Sequence, residues 1–156
     1  KEAKVDGVEV NLQHNFGDSG YGFIANATFA SADVGYDNTN SLEGQFVLNG
    51  LSDSANLIGF YDKNKLQVRL AYNWRDDFLA GVGQGQGTTT NPTNVKAYGQ
   101  LDVGITYQAT ERLTVYFSGL NVTESTVHVY GLTQDQVLQA VQGGARYDIG
   151  LRYSFR

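Results

Sequence analysis

The sequence predicts an all-β fold and, within that class, an antiparallel up-and-down transmembrane β-barrel. Apolar and polar residues alternate with period two along most of the chain, as expected for strands with one apolar and one polar face. Short and long connections also alternate between these segments. The 156 residues include 19 glycines, 10 tyrosines and 8 phenylalanines but one proline, a composition that suits long strands.

Seven segments show the alternation, and each is predicted to form one strand. The fourth is the clearest, because Leu66, Val68 and Leu70 alternate with Gln67 and Arg69. The third has no clear phase, and a change of phase near residues 119–121 is typical of a β-bulge. The predicted strands cover roughly residues 5–16, 21–30, 53–62, 65–76, 95–109, 112–122 and 146–156.

The lengths of the connections and strands favour an outer-membrane barrel, which has short periplasmic turns and long extracellular loops. The predicted strands approach the roughly 9–11 residues that a tilted strand needs to cross the hydrocarbon layer. Strands of soluble proteins average about 5–6 residues. The tight turns are 17–20, 62–65 and 109–112, and the long connections are 31–52, 77–94 and 123–143.

Charged residues follow the pattern that a membrane requires. A lysine or arginine on the lipid face at mid-membrane costs about 2–4 kcal/mol, whereas a water-filled interior accepts it. His14 is an exception on the apolar face, and its position beside a tight turn would place it at the membrane interface. The strand charges on the predicted interior face are Arg69, Arg75, Lys96, Asp102, Asp148 and Arg152.

Composition excludes several classes of function. The chain has no cysteine, so it forms neither disulfides nor thiol sites. Its net charge of −5 argues against nucleic-acid binding, which needs a basic surface. His14 and His128 lie far apart, and no nucleophile, base and acid occur together. We therefore expect no enzymatic activity, no metal site and no cofactor.

An odd number of strands has a consequence for closure. The first and last strands of an antiparallel barrel are neighbours, which requires an even number of strands. An open sheet of seven strands would leave two unpaired edges in lipid, and this is energetically costly. The chain is therefore expected to be part of a larger barrel with a wet interior.

The stretch RYDIGLRYSFR at residues 146–156 fits the terminal signal by which the barrel-assembly machinery recognises outer-membrane proteins. Asp148, Gly150, Tyr153 and Phe155 supply its polar, glycine and two aromatic positions. The glycine would allow a partner strand to approach closely, and the aromatic rings would anchor at the membrane interface. The alternative is an ordinary amphipathic strand.

Five segments, in order along the chain, resemble the barrel of TonB-dependent outer-membrane receptors. Residues 5–10 (VDGVEV) are similar to a GvE strand of that family, and residues 66–75 (LQVRLAYNWR) are similar to its aRlaYnyR strand. The other three segments are similar to the closing series of the family, and they are residues 101–103, 113–115 and 120–124. The resemblance covers nearly the whole chain and corresponds to the last third of the family's barrel.

The resemblance implies a barrel of about 22 strands around a plug domain, in the outer membrane of a Gram-negative bacterium. It implies active uptake of a scarce nutrient, energised from the inner membrane through the TonB complex. Residues 1–156 would then be the C-terminal part of the barrel, and the plug and the segment that engages TonB would lie outside this chain. Outer-membrane lipid, the remaining barrel and the plug are the implied partners.

Four residues on the predicted interior face, near the long connections, are candidates for contact with the transported ligand: Asn73, Arg75, Lys96 and Tyr98. Their alternative role is lining of the barrel or contact with the plug. Polar and aromatic loop residues suit an oligosaccharide or a siderophore-like ligand. A passive porin-type barrel and a soluble β-sandwich module for carbohydrate binding or adhesion remain as alternative functions.

One segment has helical spacing. Residues 133–141 (TQDQVLQAV) predict a short helix in the last long connection, with Thr133 as its N-cap and Val137, Leu138 and Val141 on one face. Such a helix could cover the ligand entrance or could simply pack against the loop.

Overall fold

A computed structural model describes residues 2–37, 45–82, 84–85, 88–89 and 92–155. Seven long strands and six short ones occupy these ranges, together with a single turn of 3-10 helix, Gly17–Ser19. The strands are β1 (Val5–Asn15), β2 (Tyr21–Ala32), β3 (Ser54–Lys63), β4 (Leu66–Arg75), β5 (Phe78–Gly81), β6 (Gln84–Gly85), β7 (Thr88–Thr89), β8 (Thr93–Val95), β9 (Tyr98–Gln108), β10 (Leu113–Leu120), β11 (Thr126–Tyr130), β12 (Val137–Gln142) and β13 (Arg146–Tyr153).

The seven long strands form one antiparallel sheet in the order β1-β2-β3-β4-β9-β10-β13. Each long strand is paired with the next long strand in the chain, so the predicted up-and-down arrangement of seven strands is confirmed. Strand lengths run from 8 residues in β10 and β13 to 12 in β2. Most of them therefore match the length that a tilted membrane strand needs.

The register places apolar side chains of all seven strands on one face of the sheet. One row across the sheet joins Leu12, Ala25, Leu57, Tyr72 and Leu101, because directly opposed residues in antiparallel strands share a face. The pairing also defines the third strand, whose apolar face carries Leu57 and whose polar face carries the neighbouring residue Asn56.

This apolar face is exposed rather than packed into a core. Ile149 is 79% exposed and Leu151 is 69% exposed, although both are large and apolar. Among the described residues, the only buried apolar side chains are Ala71, Pro92 and Val95. An apolar surface of this extent in a soluble monomer would be unusual, so the fold requires an apolar surrounding.

The tight turns at one end of the sheet have chemistry that suits hairpins. Gly20 closes the first turn with a φ of 85°, a conformation in which glycine avoids the strain of a side chain. Asn64 and Lys65 form a two-residue loop with φ of 53° and 67°, as in the type I′ turns that connect twisted strands. In the third turn, the Thr110 hydroxyl accepts a hydrogen bond from the Leu113 N–H at 3.0 Å.

A different interaction aligns the strand pairs that are connected by long segments of chain. In each of these three pairs, an aromatic ring of one strand lies over a glycine of its neighbour, where a Cβ atom would approach a ring atom within 2.5 Å or less. Such packing of aromatic rings over glycines is a recognised means of pinning strand register. The pairs are Phe60 with Gly22 (β3 and β2), Tyr72 with Gly99 (β4 and β9), and Tyr116 with Gly150 (β10 and β13).

The long connections build a second sheet of four strands in the order β12-β11-β8-β5. The predicted fifth strand, 95–109, is therefore divided between two sheets, because β8 ends at Val95 and β9 begins at Tyr98. Pro92, just before β8, is fully buried. The described residues at the loop end therefore include an ordered β-sheet.

The predicted helix at 133–141 is wrong. Residues 133–136 form a turn closed by a hydrogen bond from the Gln136 N–H to the Thr133 carbonyl at 3.0 Å, and Val137–Gln142 is strand β12. Val137 and Val141 lie opposite Tyr130 and Val127 of β11. Pairing with β11 satisfies the backbone groups of this segment, and β-branched valines fit a strand better than a helix.

The change of phase near residue 120 has a different cause from the predicted bulge. Strand β10 ends at Leu120, and Asn121 has a φ of 53° that turns the chain out of the sheet. The Asn121 N–H donates to the Asp102 carboxylate at 2.9 Å, and its side-chain oxygen accepts from the Ser125 N–H at 2.9 Å. The alternation breaks there because the strand stops.

The assignment of the two faces can be tested with adjacent residues of β9. Val103 lies at mid-strand on the apolar face, opposite Leu70 and Gly119, whereas Gly104 lies on the polar face with open space around its Cβ position. We expect Val103→Arg to lower the stability of the membrane-inserted protein by about 2–4 kcal/mol. Denaturant unfolding in lipid vesicles measures this. Gly104→Arg is the matched control, and equal losses for both variants would contradict the facing.

Candidate functional site

A row of side-chain amides crosses the polar face of the large sheet. Its members occupy directly opposed positions on five neighbouring strands, so successive amides lie side by side, with backbones about 5 Å apart. We call these residues the amide row: Asn11 on β1, Asn26 on β2, Asn56 on β3, Asn73 on β4 and Gln100 on β9.

The amide row is neutral and keeps hydrogen-bonding capacity for a partner. Within the described ranges, no hydrogen bond joins the side chain of one member to that of the next. The Oδ1 atom of Asn26 is buried and has no hydrogen-bond partner there. Gln100 uses one Nε2 hydrogen to bond the Asp102 carboxylate at 2.8 Å. Since each amide has two donors and an acceptor oxygen, the row can both donate to and accept from a bound molecule.

The row climbs from the tight turns toward the loop end. Asn11 lies four positions from Asn15, the last residue of β1, whereas Gln100 lies eight positions from Gln108, where β9 meets its tight turn. At the upper end, Gln100 also lines a pocket of about 570 Å³ at the foot of the last long connection. The other lining residues are Leu120, Asn121, Gly143, Gly144, Ala145 and Arg146.

Three of the four predicted ligand-contact residues lie together. Asn73 belongs to the amide row, and Arg75, two residues further along β4, lies directly opposite Tyr98 of β9. Lys96 lies in the break between β8 and β9, where its backbone N–H donates to the His128 carbonyl at 2.9 Å. It is therefore outside the large sheet, although its sequence phase matches that of Tyr98. Contact of these residues with a ligand remains a prediction.

Arg75 has structural partners that occupy its guanidinium. Its Nε donates to the Ser52 hydroxyl at 2.8 Å, and a terminal nitrogen donates to the Gly50 carbonyl. The guanidinium carbon also lies 3.8 Å from the centre of the Phe78 ring, which is a cation–π geometry. Arg75 thus fastens the end of the 45–53 connection to β4 through two of its five N–H donors.

Sequence reasoning missed four members of the amide row: Asn11, Asn26, Asn56 and Gln100. Asn11, Asn26 and Gln100 were recognisable as polar-face residues, whereas the unclear phase of the third strand left the face of Asn56 open. The tight turns also suffice to align Asn11 with Asn26 and Asn56 with Asn73, because they fix the register of those hairpins. Alignment across the long connections, from β2 to β3 and from β4 to β9, needed the tertiary structure.

Asp77 connects three parts of the loop-end sheet. One carboxylate oxygen accepts hydrogen bonds from the Tyr130 hydroxyl at 3.2 Å and from the Gln134 amide at 2.8 Å. The other accepts from the Ala97 N–H. Burial, followed by the charge of Asp77, raises the pKa of the Tyr130 phenol. Asp77 therefore holds the last long connection against the junctions of β4 with β5 and of β8 with β9.

The residues of the predicted insertion signal occupy both faces of β13 and the segment after it. Asp148 lies on the polar face and accepts a hydrogen bond from the Ser118 hydroxyl at 3.1 Å. Gly150 lies beneath the Tyr116 ring. Tyr153 and Phe155 form an edge-to-face pair with ring centres 4.8 Å apart, and Phe155 is 88% exposed. Recognition of these residues by an assembly machinery remains a prediction.

Two kinds of feature are absent from the described ranges. No three or more histidine, aspartate or glutamate side chains there are grouped as metal ligands would be. No helix there is both long enough and apolar enough to cross a membrane.

One comparison with known proteins identifies a relationship. The family model described as TonB dependent receptor-like, beta-barrel matches residues 1–122. The match covers β1 to β10. Four of the five segments that resemble the family lie completely within it, and it contains the start of the fifth. No curated protein and no solved structure shows a significant match to the chain.

The role of Gly150 can be separated into packing and recognition. A Cβ at this position would lie 2.1 Å from the Tyr116 ring, so we expect Gly150→Ala to destabilise the inserted protein by about 1–3 kcal/mol through overpacking. Heat-modifiable migration on gels and denaturant unfolding would measure assembly and stability. Gly104→Ala, where the Cβ meets nothing within 4 Å, is the control.

A second substitution distinguishes the two causes. If packing alone is responsible, Tyr116→Ala combined with Gly150→Ala should recover most of the loss, because the ring that clashes is gone. A loss of insertion in cells that Tyr116→Ala does not reduce would instead assign Gly150 to the insertion signal.

The link between Asp77 and Tyr130 predicts a pH dependence of the last long connection. A raised phenol pKa means that Tyr130 is preferentially protonated when the last long connection is held against Asp77. This attachment is therefore at full strength below about pH 10. It should be lost as the pH rises through the raised value, since ionised Tyr130 cannot donate to Asp77. Since the chain has no cysteine, a nitroxide attached at Gln139→Cys reports mobility of β12 specifically in this chain.

Tyr130→Phe should make the label mobile already at pH 8, whereas Tyr153→Phe, on the far side of the large sheet, should leave it unchanged. Identical mobility of the label with Tyr130 and with Tyr130→Phe at pH 8 would show that the hydroxyl does not hold this connection.

Proposed function

The chain belongs to the TonB-dependent receptor-like β-barrel family, and we propose that its sheet forms part of the wall through which an outer-membrane receptor takes up a neutral, hydroxyl-rich nutrient. The family places the chain in the outer membrane, as part of a larger receptor of barrel and plug. The exposed apolar face then contacts lipid, and the polar face is directed toward the interior. A soluble β-sandwich module is excluded by this location.

The two edges of the sheet support its place in a larger barrel. β1 and β13 each have one neighbour in the large sheet, so one side of each strand has no partner strand within the described ranges. Unpaired backbone groups in lipid cost several kcal/mol each. Further strands of the same receptor would satisfy these groups, with residues 1–156 as the C-terminal part of the barrel.

The amide row carries the proposal for the ligand. It offers donors and acceptors in one row across five strands, has a buried acceptor at Asn26 without a partner in the described ranges, and leads to the pocket lined by Gln100. A hydroxyl both donates and accepts hydrogen bonds, so a molecule with many hydroxyls can use this mixed row fully. An oligosaccharide has this chemistry.

The charge distribution favours this ligand over an anionic siderophore. The amide row contains no charged residue, and the nearby Arg75 already bonds Ser52 and Gly50 and stacks on Phe78. An anionic ligand would need a free cation at the level of the row. Arg146 lies at the pocket and could hold only the end of such a molecule.

The remaining partners follow from the family. We propose that uptake is energised by the TonB complex through a part of the receptor outside this chain, and that the barrel-assembly machinery inserts the protein through β13. Transport requires no bond-making chemistry from this chain, and we propose no enzymatic role, metal or cofactor for it.

The proposal predicts reduced uptake when the amide row loses polar groups. Asn56→Leu and Asn73→Leu, made in the full-length receptor, should each lower uptake of radiolabelled neutral oligosaccharides by about threefold to tenfold, the effect of one or two lost hydrogen bonds. Gln108→Leu, on the same face beside a tight turn, is the matched control. Uptake is measured in cells, with surface expression quantified for each variant.

Two further measurements separate the alternatives. A protonophore should abolish uptake, because the receptor depends on the energised inner membrane, and uptake that persists would indicate a passive porin-type barrel. A ferric siderophore serves as the second probe. If the amide-row variants lost siderophore uptake and kept oligosaccharide uptake, the proposed ligand class would be contradicted. The receptor function would be unaffected by that result.

A further inference from the structure

The apolar face of the large sheet contains a depression of about 490 Å³. Its floor is formed by three small side chains on neighbouring strands, Ala25 and Ala27 of β2 and Ala55 of β3, and Ala27 lies directly opposite Ala55. Its walls are formed by larger side chains on the flanking strands and on β3: Val10, Leu12, Leu57, Tyr72 and Trp74.

The depression arises from side-chain size and not from an irregular backbone. β1 to β4 are paired continuously through this region without a bulge. Along β2, the alanines lie between two phenylalanines on the same face, Phe23 and Phe29. The result is a channel that crosses β1 to β4, from Val10 and Leu12 at one end to Tyr72 and Trp74 at the other, over a floor of alanines.

The dimensions of this channel suit one extended hydrocarbon chain. The channel crosses four neighbouring strands, and three strand spacings of about 4.8 Å amount to roughly 14 Å. At a strand tilt of about 45°, this corresponds to roughly 10 Å along the membrane normal, about a third of the ~30 Å hydrocarbon layer. The channel thus accommodates a segment of one tail within one leaflet.

The surroundings also identify the occupant. The side chains that line the channel on this face carry no charge, and the channel is continuous with the exposed apolar surface that contacts lipid. Trp74 lies one residue from the loop end of β4, where tryptophan anchors at the level of the lipid head groups. A lipid tail beginning at that level would enter the channel directly.

We propose that this channel is a binding site for one acyl chain of a membrane lipid, held more tightly than the surrounding lipid. Lipid tails are as apolar as the wall residues, so the preference comes from packing and not from the exclusion of water. A disordered tail makes few contacts with a recessed floor, whereas an extended one in the channel contacts the floor and both walls. The inference depends on the membrane location and is independent of the transported ligand.

The test uses Trp74, the only tryptophan of this chain. The full-length receptor is reconstituted in phosphatidylcholine vesicles with increasing fractions of lipid brominated in its acyl chains, which quench tryptophan on contact. Subtraction of the signal of Trp74→Phe isolates the fluorescence of Trp74. Ile149→Trp in the Trp74→Phe background reports ordinary lipid contact, because Ile149 protrudes from the same face and is 79% exposed.

Trp74 should reach half-maximal quenching at about a threefold lower brominated fraction than the reference position, as a preferred chain would cause. Ala27→Leu with Ala55→Leu fills the channel and should remove this difference. Leu151→Phe, an apolar change outside the channel, should preserve it. Heat-modifiable migration verifies that each variant is assembled, and larger apolar side chains facing lipid should not disturb assembly.

Equal half-quenching fractions at Trp74 and at the reference position would overturn the proposal. It would also be overturned if filling the channel abolished association with a second copy or with another protein while leaving the quenching of Trp74 unchanged, because the occupant would then be protein.

Discussion

The register of the seven-stranded sheet is the constraint on which the other features depend. In an antiparallel sheet, directly opposed residues share a face, and a shift of one residue in any pair would move that strand's apolar set to the opposite side. In a membrane this exchange is severe, since it would bring groups such as Arg69 and Asp102 into lipid. The continuous apolar face, the amide row and the alanine-floored channel exist only in the observed register.

Two kinds of local interaction specify that register, and each acts on a different set of strand pairs. Strand pairs joined by tight turns are aligned by turn chemistry, as with the positive φ angles of Asn64 and Lys65. Strand pairs joined by long connections receive no such guidance from the chain. In all three of these pairs an aromatic ring packs over a glycine, and a shifted register would place that ring against a side chain. The glycines of β2, β9 and β13 thus contribute to alignment as well as to close approach.

The two faces of the sheet use the same geometry for different partners. On the polar face, opposed amides provide a neutral row of donors and acceptors, while Arg75, two residues from Asn73 on β4, fastens a loop. On the apolar face, opposed alanines provide a recess in a surface of larger residues. In both cases the function proposed arises from residues that are distant in sequence and adjacent only through strand pairing.

At the loop end, the second sheet joins described parts of two long connections into one structure. Asp77 gathers the Tyr130 hydroxyl, the Gln134 amide and the Ala97 N–H, so β4, β8 and the last long connection meet at one carboxylate. A loop region organised in this way presents a defined surface above the polar face, which suits a receptor that must hold a ligand before transport.

The sequence by itself determined the fold class, the seven strands, the faces of six of them and the membrane location, because period-two alternation, strand length and connection length are local properties. The phase of β3, the division between β8 and β9 and the strand β12 in place of a helix were decided only in the tertiary structure. Val137 and Val141 have helical spacing, but pairing with β11 satisfies their backbone. The amide row and the acyl-chain channel likewise depended on registers across long connections, which no local pattern specifies.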